Sequence, residues 1–167
     1  MIQRKQTLYM LLAVICMTIF TFAKMYTFNS TDSSMELHTY GYELYEAGAE
    51  EPIADSAINL RSLCMVVLAA LSTLLMLVNI FLYKKRELQL SILMSQYALL
   101  VGIIGYGAYY VWSFSGFFAE SIPAGTALTN VPGWSLCLPL VALLMNYLAI
   151  RGVASDIALL RSVDRIR

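Results

Sequence analysis

Charge is what this chain has least of. Of its 167 residues, 13% are Asp, Glu, Lys or Arg, against about 25% in an ordinary soluble domain. Its eleven basic and eleven acidic residues cancel, so no global field directs it to nucleic acid. Histidine occurs once and cysteine three times. Cys16, Cys64 and Cys137 fall in or beside apolar stretches without a CxxC pair, and His38 stands alone in a polar segment. A metal centre needs converging ligands, and the sequence offers none, so the cysteines read as small buried apolar residues. With one histidine and no paired acids within the apolar runs, neither a catalytic constellation nor a cofactor site is expected.

Apolar residues fill the space instead. They make up 59% of the chain, and the mean hydropathy is +0.68. They gather in four runs, at about 8–28, 60–83, 88–114 and 134–150. A helix needs about 20 such residues to cross a bilayer, and the first run reaches that length if Lys24 snorkels to the interface. A cleaved signal peptide is the rival for this run, since Thr21-Phe22-Ala23 weakly resembles a cleavage site. The expected fold is an all-α membrane protein, a four-transmembrane-helix bundle over residues 1–152 with a charged tail at 153–167. Lys84 to Glu87 form so short a connection that the second and third spans must be antiparallel neighbours. Residues 29–60 are acidic, and Leu37, Tyr40, Tyr42 and Leu44 around Gly41 hint at a small β-hairpin in this first outer loop. Residues 115–133, with Gly116, Pro123, Gly125, Pro132 and Gly133, read as a turn-rich second loop.

Lys and Arg stay on the cytoplasmic side of a membrane. Four spans put the head, the 84–87 turn and the tail together. That side holds nine of the eleven basic residues, namely Arg4, Lys5, Lys84, Lys85, Arg86, Arg151, Arg161, Arg165 and Arg167, and leaves Lys24 and Arg61 opposite. Both termini are therefore expected to be cytoplasmic. Tyr106, Tyr109, Tyr110, Trp112, Phe114, Phe117, Phe118 and Trp134 fall near the outer interface, where Trp and Tyr are favoured; an aromatic-lined pocket for a lipid or quinone is the alternative.

Three features inside the spans stand out. Ser91, Ser95, Ala98, Gly102 and Gly105 recur at spacings of four and three, a seam of small residues on one face of the third span. Such seams let helix backbones approach closely in lipid, so this one is expected to meet another helix, within the chain or in a second copy. Asn79, Gln96 and Asn146 are the costliest uncharged side chains in the apolar runs. They are expected to face the interior and bond across helices, with Gln96 pointing away from the seam. The tail is expected to be a separate amphipathic helix capped by Ser155. It would carry Leu159, Leu160, Val163 and Ile166 on one face, and Arg161 and Arg165 on the other against an anionic surface.

Several local patterns carry a resemblance. They are Met1-Ile2-Gln3-Arg4 with Gln6-Thr7, the Tyr83-Lys84-Lys85-Arg86 turn, Pro139-Leu140-Val141-Ala142-Leu143 through Asn146 and Arg151, and the tail Asp156, Leu159, Arg161, Ser162, Asp164, Arg165, Ile166 and Arg167. Together they resemble a domain-of-unknown-function family of small four-span membrane proteins from Bacteroidetes. The resemblance implies a bacterial inner-membrane protein with both ends inside, and it brings no catalytic or binding residues. On these grounds the chain is expected to be a non-enzymatic scaffold or accessory subunit, in contact with the bilayer and with a membrane-protein partner or a second copy. A small carrier for a lipid or other apolar molecule is the alternative.

Overall fold

A computed structural model describes residues 2–46, 60–121 and 128–164. Four helices, α1 (Ile2–Phe22), α2 (Leu60–Phe81), α3 (Arg86–Ser121) and α4 (Leu138–Asp164), account for most of it. Each contains a stretch long and apolar enough to cross a membrane. They pack in a ring, each against two neighbours, in the order α1, α2, α3, α4 and back to α1.

The inward positions follow one rule on all four helices. Met10, Ala13, Met17 and Phe20 are buried on α1, and Ser62, Met65, Ala69, Ser72, Met76 and Asn79 on α2. On α3 the buried positions include Gln89, Leu93, Gln96, Leu100, Ile103, Gly107 and Tyr110. On α4 Ala142, Asn146, Ala149, Val153 and Asp156 are buried. Spacings of three and four alternate, the pattern of helices that cross at a shallow angle. Both faces of these helices are rich in apolar residues, unlike the polar surface of a soluble domain. Methionines, aromatics, small residues and a few polar ones point inward, whereas Leu8, Leu11, Ile15, Leu63, Val67, Leu74 and Leu144 point outward and are exposed.

The first span differs from its expected bounds. Its helix begins at Ile2 and ends at Phe22, and Lys24–Asn29 form strand β1. The last turn closes through the Ala23 amide, which donates to Ile19 O at 2.9 Å. Beyond it the Met25 and Phe28 side chains are buried in the core cluster, with β1 paired on both edges. This tertiary pairing outweighs the apolar run that continues the helix pattern.

The sheet is antiparallel, in the order β3 (Tyr42–Glu46), β2 (Ser33–His38), β1, β4 (Thr129–Pro132). The expected hairpin is its β2–β3 pair, with Leu37 opposite Tyr42 and Met35 opposite Leu44. The turn at Gly41 closes through His38 N donating to Gly41 O at 2.8 Å. The other two strands come from the end of the first apolar run and from the second loop. Pro132 lies on the edge strand β4, where a missing N–H costs no ladder bond.

The sheet caps the end of the ring where α1 stops. Met25, Phe28, Met35 and Leu37 are buried beneath it. Thr39 Oγ1 donates to Phe20 O at 3.0 Å, and Ser135 Oγ to Lys24 O at 2.6 Å. Gly133 sits so near β1 that a Cβ there would lie 2.6 Å from Lys24 O, so only glycine permits this contact. At 36 residues α3 is about 54 Å long. Its last turns run up against the sheet, bringing Phe114 to Tyr42 and Phe118 to Phe28 at ring separations of 5.5 and 5.9 Å.

The fourth helix also departs from its expected bounds. It does not close at Gly152 and restart at Ser155; it runs unbroken to Asp164. Ser155 Oγ bonds Gly152 O in mid-helix at 2.8 Å, and Asp156 faces the interior. Gly152 is where α1 comes close, because a Cβ there would stand 2.7 Å from Gln6 Cγ. Arg165 and Ile166 lie outside the described residues.

Candidate functional site

The end of the ring opposite the sheet is closed by a polar cluster. The Asp156 carboxylate, almost fully buried, accepts a hydrogen bond from Gln6 Nε2 at 3.0 Å and pairs with Arg86 Nη1 at 3.3 Å. Three elements meet in these contacts: the first turns of α1, the start of α3 and the far part of α4. The carboxylate is thus paired and hydrogen-bonded, the condition for tolerating a buried charge. Asp156 is legible in hindsight, because it continues the inward series Asn146, Ala149, Val153 by one more step of three.

Polar side chains continue inward from this cluster. Gln89 Nε2 donates to the Asn79 backbone oxygen at 3.3 Å and approaches Met10 Sδ at 3.8 Å. Asn146 Nδ2 donates to Leu93 O at 3.1 Å. Gln96 Nε2 donates to Ser72 Oγ at 2.5 Å. All three sequence-predicted amides, Asn79, Gln96 and Asn146, lie inside the ring. The structure brings Gln6, Arg86, Gln89 and Asp156 into their company, four residues that composition and hydropathy alone do not single out.

The small-residue seam lies elsewhere. Ser91, Ser95, Ala98, Gly102 and Gly105 all face away from the ring and are exposed. A Cβ on Gly102 or Gly105 would meet nothing within 4 Å. The expected contact with a helix of the same chain is therefore absent among the described residues. The physical reason is angular: Ala98 lies two residues, about 200°, from the buried Gln96 and Leu100. The face of α3 that packs within the chain is the Gln96 face. Ser95 Oγ turns back to Ser91 O at 3.2 Å, a local bond that leaves the stripe smooth.

The aromatic residues expected at the outer interface differ in burial, with Tyr106 half-buried. Tyr110, Phe114 and Phe118 are core residues beneath the sheet, while Tyr109, Trp112, Phe117 and Trp134 stay exposed. Tyr110 Oη donates to His38 O at 3.2 Å. A cavity of about 270 Å³ lies between α3 and α4 below β1, lined by Phe20, Met25, Ile103, Gly107, Leu136 and Pro139 among others. Its walls are otherwise aliphatic, with Phe20 the one aromatic side chain, so the aromatic cluster does not form it.

On the sheet, Lys24 Nζ pairs with Glu36 Oε1 at 2.8 Å. His38 Nε2 stands 3.9 Å from Glu36 Oε2 and 3.8 Å from Glu43 Oε2, with the Tyr40 ring stacked on it at 4.9 Å. Tyr45 Oη donates to Glu43 Oε2 at 2.8 Å. That bond is the main reason the Tyr45 phenol is pushed up to about 12, burial adding to it. Tyr40 is raised as well, by burial first and then by the Glu43 charge. Among the described residues no group of three His, Cys, Asp or Glu side chains could hold a metal ion. All three cysteine thiols are free, Cys16 buried and Cys64 and Cys137 exposed.

No curated protein matches the chain. The family model described as "Domain of unknown function (DUF4293)" matches residues 2–166, the head, the 84–87 turn and most of the tail included. The chain belongs to that family.

Proposed function

We propose that the protein is a non-enzymatic scaffold or accessory subunit of a bacterial inner membrane, which binds a partner helix or a second copy along the outer face of α3. The observation that carries this reading is the seam on an otherwise bulky surface. Leu, Val, Ile and Phe cover the outside of the other helices, as lipid contact requires. On α3 five small residues leave a smooth exposed strip of helix, with open space above both glycines. Close backbone approach is the use lipid-embedded helices make of such strips. The membrane placement rests on the four long apolar helices with their apolar outer belt. The orientation, both termini inside and the sheet outside, rests on the nine basic residues assigned to one side. The same charge assignment puts Arg161 and Arg165 on the cytoplasmic side, beside anionic headgroups.

The test is assembly of the full-length protein in mild detergent. Gly102→Leu is expected to release a partner or reduce the oligomer size, while Leu88→Ile, exposed on the same helix, changes neither. If both variants match the wild type in size and partner content, the seam faces lipid only and the scaffold reading fails.

A second reading has its own observation. The 270 Å³ apolar cavity between α3 and α4 suits part of an acyl chain, which favours a carrier or binder of lipid. Gly107→Phe, which projects a ring from one of the lining positions, is expected to abolish copurification of a bound lipid detected by mass spectrometry. An unchanged lipid content refutes this reading and leaves the first intact.

A further inference from the structure

The interior of the ring is not uniform. Between the Asp156–Arg86 pair and the Gln96–Ser72 pair it carries amides whose polar atoms are incompletely used. Asn79 is 1% exposed, and neither its Oδ1 nor its Nδ2 has a hydrogen-bond partner among the described residues. Gln96 Oε1 and Asn146 Oδ1 are in the same condition. Four such atoms in one stretch of a low-dielectric interior are costly, since buried polar atoms are nearly always paired with protein or with ordered water.

These atoms lie within one axial stretch. Gln89 and Gln96 are seven residues apart on α3, about 10 Å along the axis. Asn79 and Ser72 are the same distance apart on the antiparallel α2. Asn146 of α4 bonds Leu93 O, midway between Gln89 and Gln96. The stretch begins at a void of about 10 Å³ lined by Gln6, Thr7, Tyr83, Arg86 and Gln89. That is about the volume one water needs. Gln89 joins the void to Asn79 through its bond to the Asn79 carbonyl.

We propose that this half of the ring is a hydrated vestibule, in which a short file of water molecules runs from Asp156 to Gln96 with Asn79, Asn146 and Gln96 as its ligands. Each buried water takes two to four polar partners, and the four unpaired atoms, with Ser72 Oγ, supply them. The occupant is neutral: the Asp156 charge is already balanced by Arg86 at 3.3 Å, and no charged side chain lies deeper among the described residues, so a cation would find no counter-charge. The file ends at Gln96, because the next inward residues, Leu100, Ile103, Ala69, Met17 and Met65, offer no polar side-chain group.

Methionines at both depths provide the test. Met10 and Met76 flank the polar stretch and Met17 and Met65 line the apolar one, and all four are at most 2% exposed. With the full-length protein in a lipid bilayer, X-ray radiolysis of water in place generates hydroxyl radicals wherever water resides. Oxidation at Met10 and Met76 is expected to be severalfold faster than at Met17 and Met65. The double variant Asn79→Leu with Asn146→Leu is expected to bring Met10 and Met76 down to the Met17 and Met65 rate. Equal slow rates at all four sites in the wild type mean a dry interior whose amides pair with one another by rotation, and overturn the proposal. Equal fast rates mean water passes Gln96, and overturn it too.

Discussion

The two halves of the helical interior solve opposite problems with the same spacing. Near the sheet, Met17, Phe20, Met65, Leu100, Ile103 and Tyr110 fill the inward positions, and the strands above them supply further apolar cover through Met25, Phe28, Met35 and Leu37. Near the termini the same three-and-four register carries Gln6, Asn79, Gln89, Asn146 and Asp156. Apolar contacts are non-directional, so they fill space between helices without fixing one partner geometry. The sheet end gains its cohesion from bulky packing and from backbone bonds to the strands. Among the described residues the opposite end has no sheet, and directional polar bonds between helices take that place. Register alone therefore does not say what a helix interior is made of; the elements at its ends do.

The sharpest way to break the comparison is to exchange the two chemistries. Ile103→Asn puts an amide where no polar side chain is near, and should cost at least about 2 kcal/mol, the scale of an unpaired buried polar group. Asn79→Leu, in the polar half, should change stability by less than about 1 kcal/mol, because both of its side-chain atoms already lack partners among the described residues. Thermal unfolding in one detergent compares the two directly. Equal losses would mean that the halves do not differ.

Removing the charge that closes the polar end is the next largest effect. Asp156→Ala deprives Gln6 and Arg86 of their shared acceptor. The expected loss is about 2–3 kcal/mol, as for a hydrogen bond to a charged group. It falls short of a fully buried ion pair because the Arg86 side chain is 26% exposed. Hydrogen exchange should show the loss in the first turns of α1 and leave β1 and β2 protected.

The smallest effect sharpens the sheet side. Tyr45 holds its proton more tightly when folded, at about 12 against an ordinary 10, because it donates to Glu43. A raised folded value contributes stability that is complete below pH 10 and is lost as pH rises from 10 to about 12. Loosening of β3 in that window, read by hydrogen exchange alongside phenolate absorbance, should disappear in Tyr45→Phe. The polar end should show no matching change.

Much of the helical content was readable because four apolar runs of about the right length leave a chain few alternatives. Helix positions near Leu60–Phe81 follow from that alone. The small-residue seam was legible as a stripe but not as an outward one, since periodicity says which residues share a face and not what lies opposite. Gln96 shows the same limit: its direction relative to the seam could be read, whereas its partner Ser72 could not, because that bond spans two helices. Asp156 was hidden by its neighbours, for Gly152 and Ser155 imitate a helix end that the close approach of Gln6 explains differently.

The sequence by itself determined which segments are apolar and that four of them are long enough for helices of membrane-crossing length. Only the tertiary structure decided that Lys24–Asn29 leaves the first helix to become a central strand, and that Thr129–Pro132 joins it from more than ninety residues away in the chain. The reason is physical. Helical hydrogen bonds close within four residues and leave a periodic trace, whereas strand pairing and buried polar contacts are made between distant segments. Their energy depends on what is opposite, and no local pattern records that.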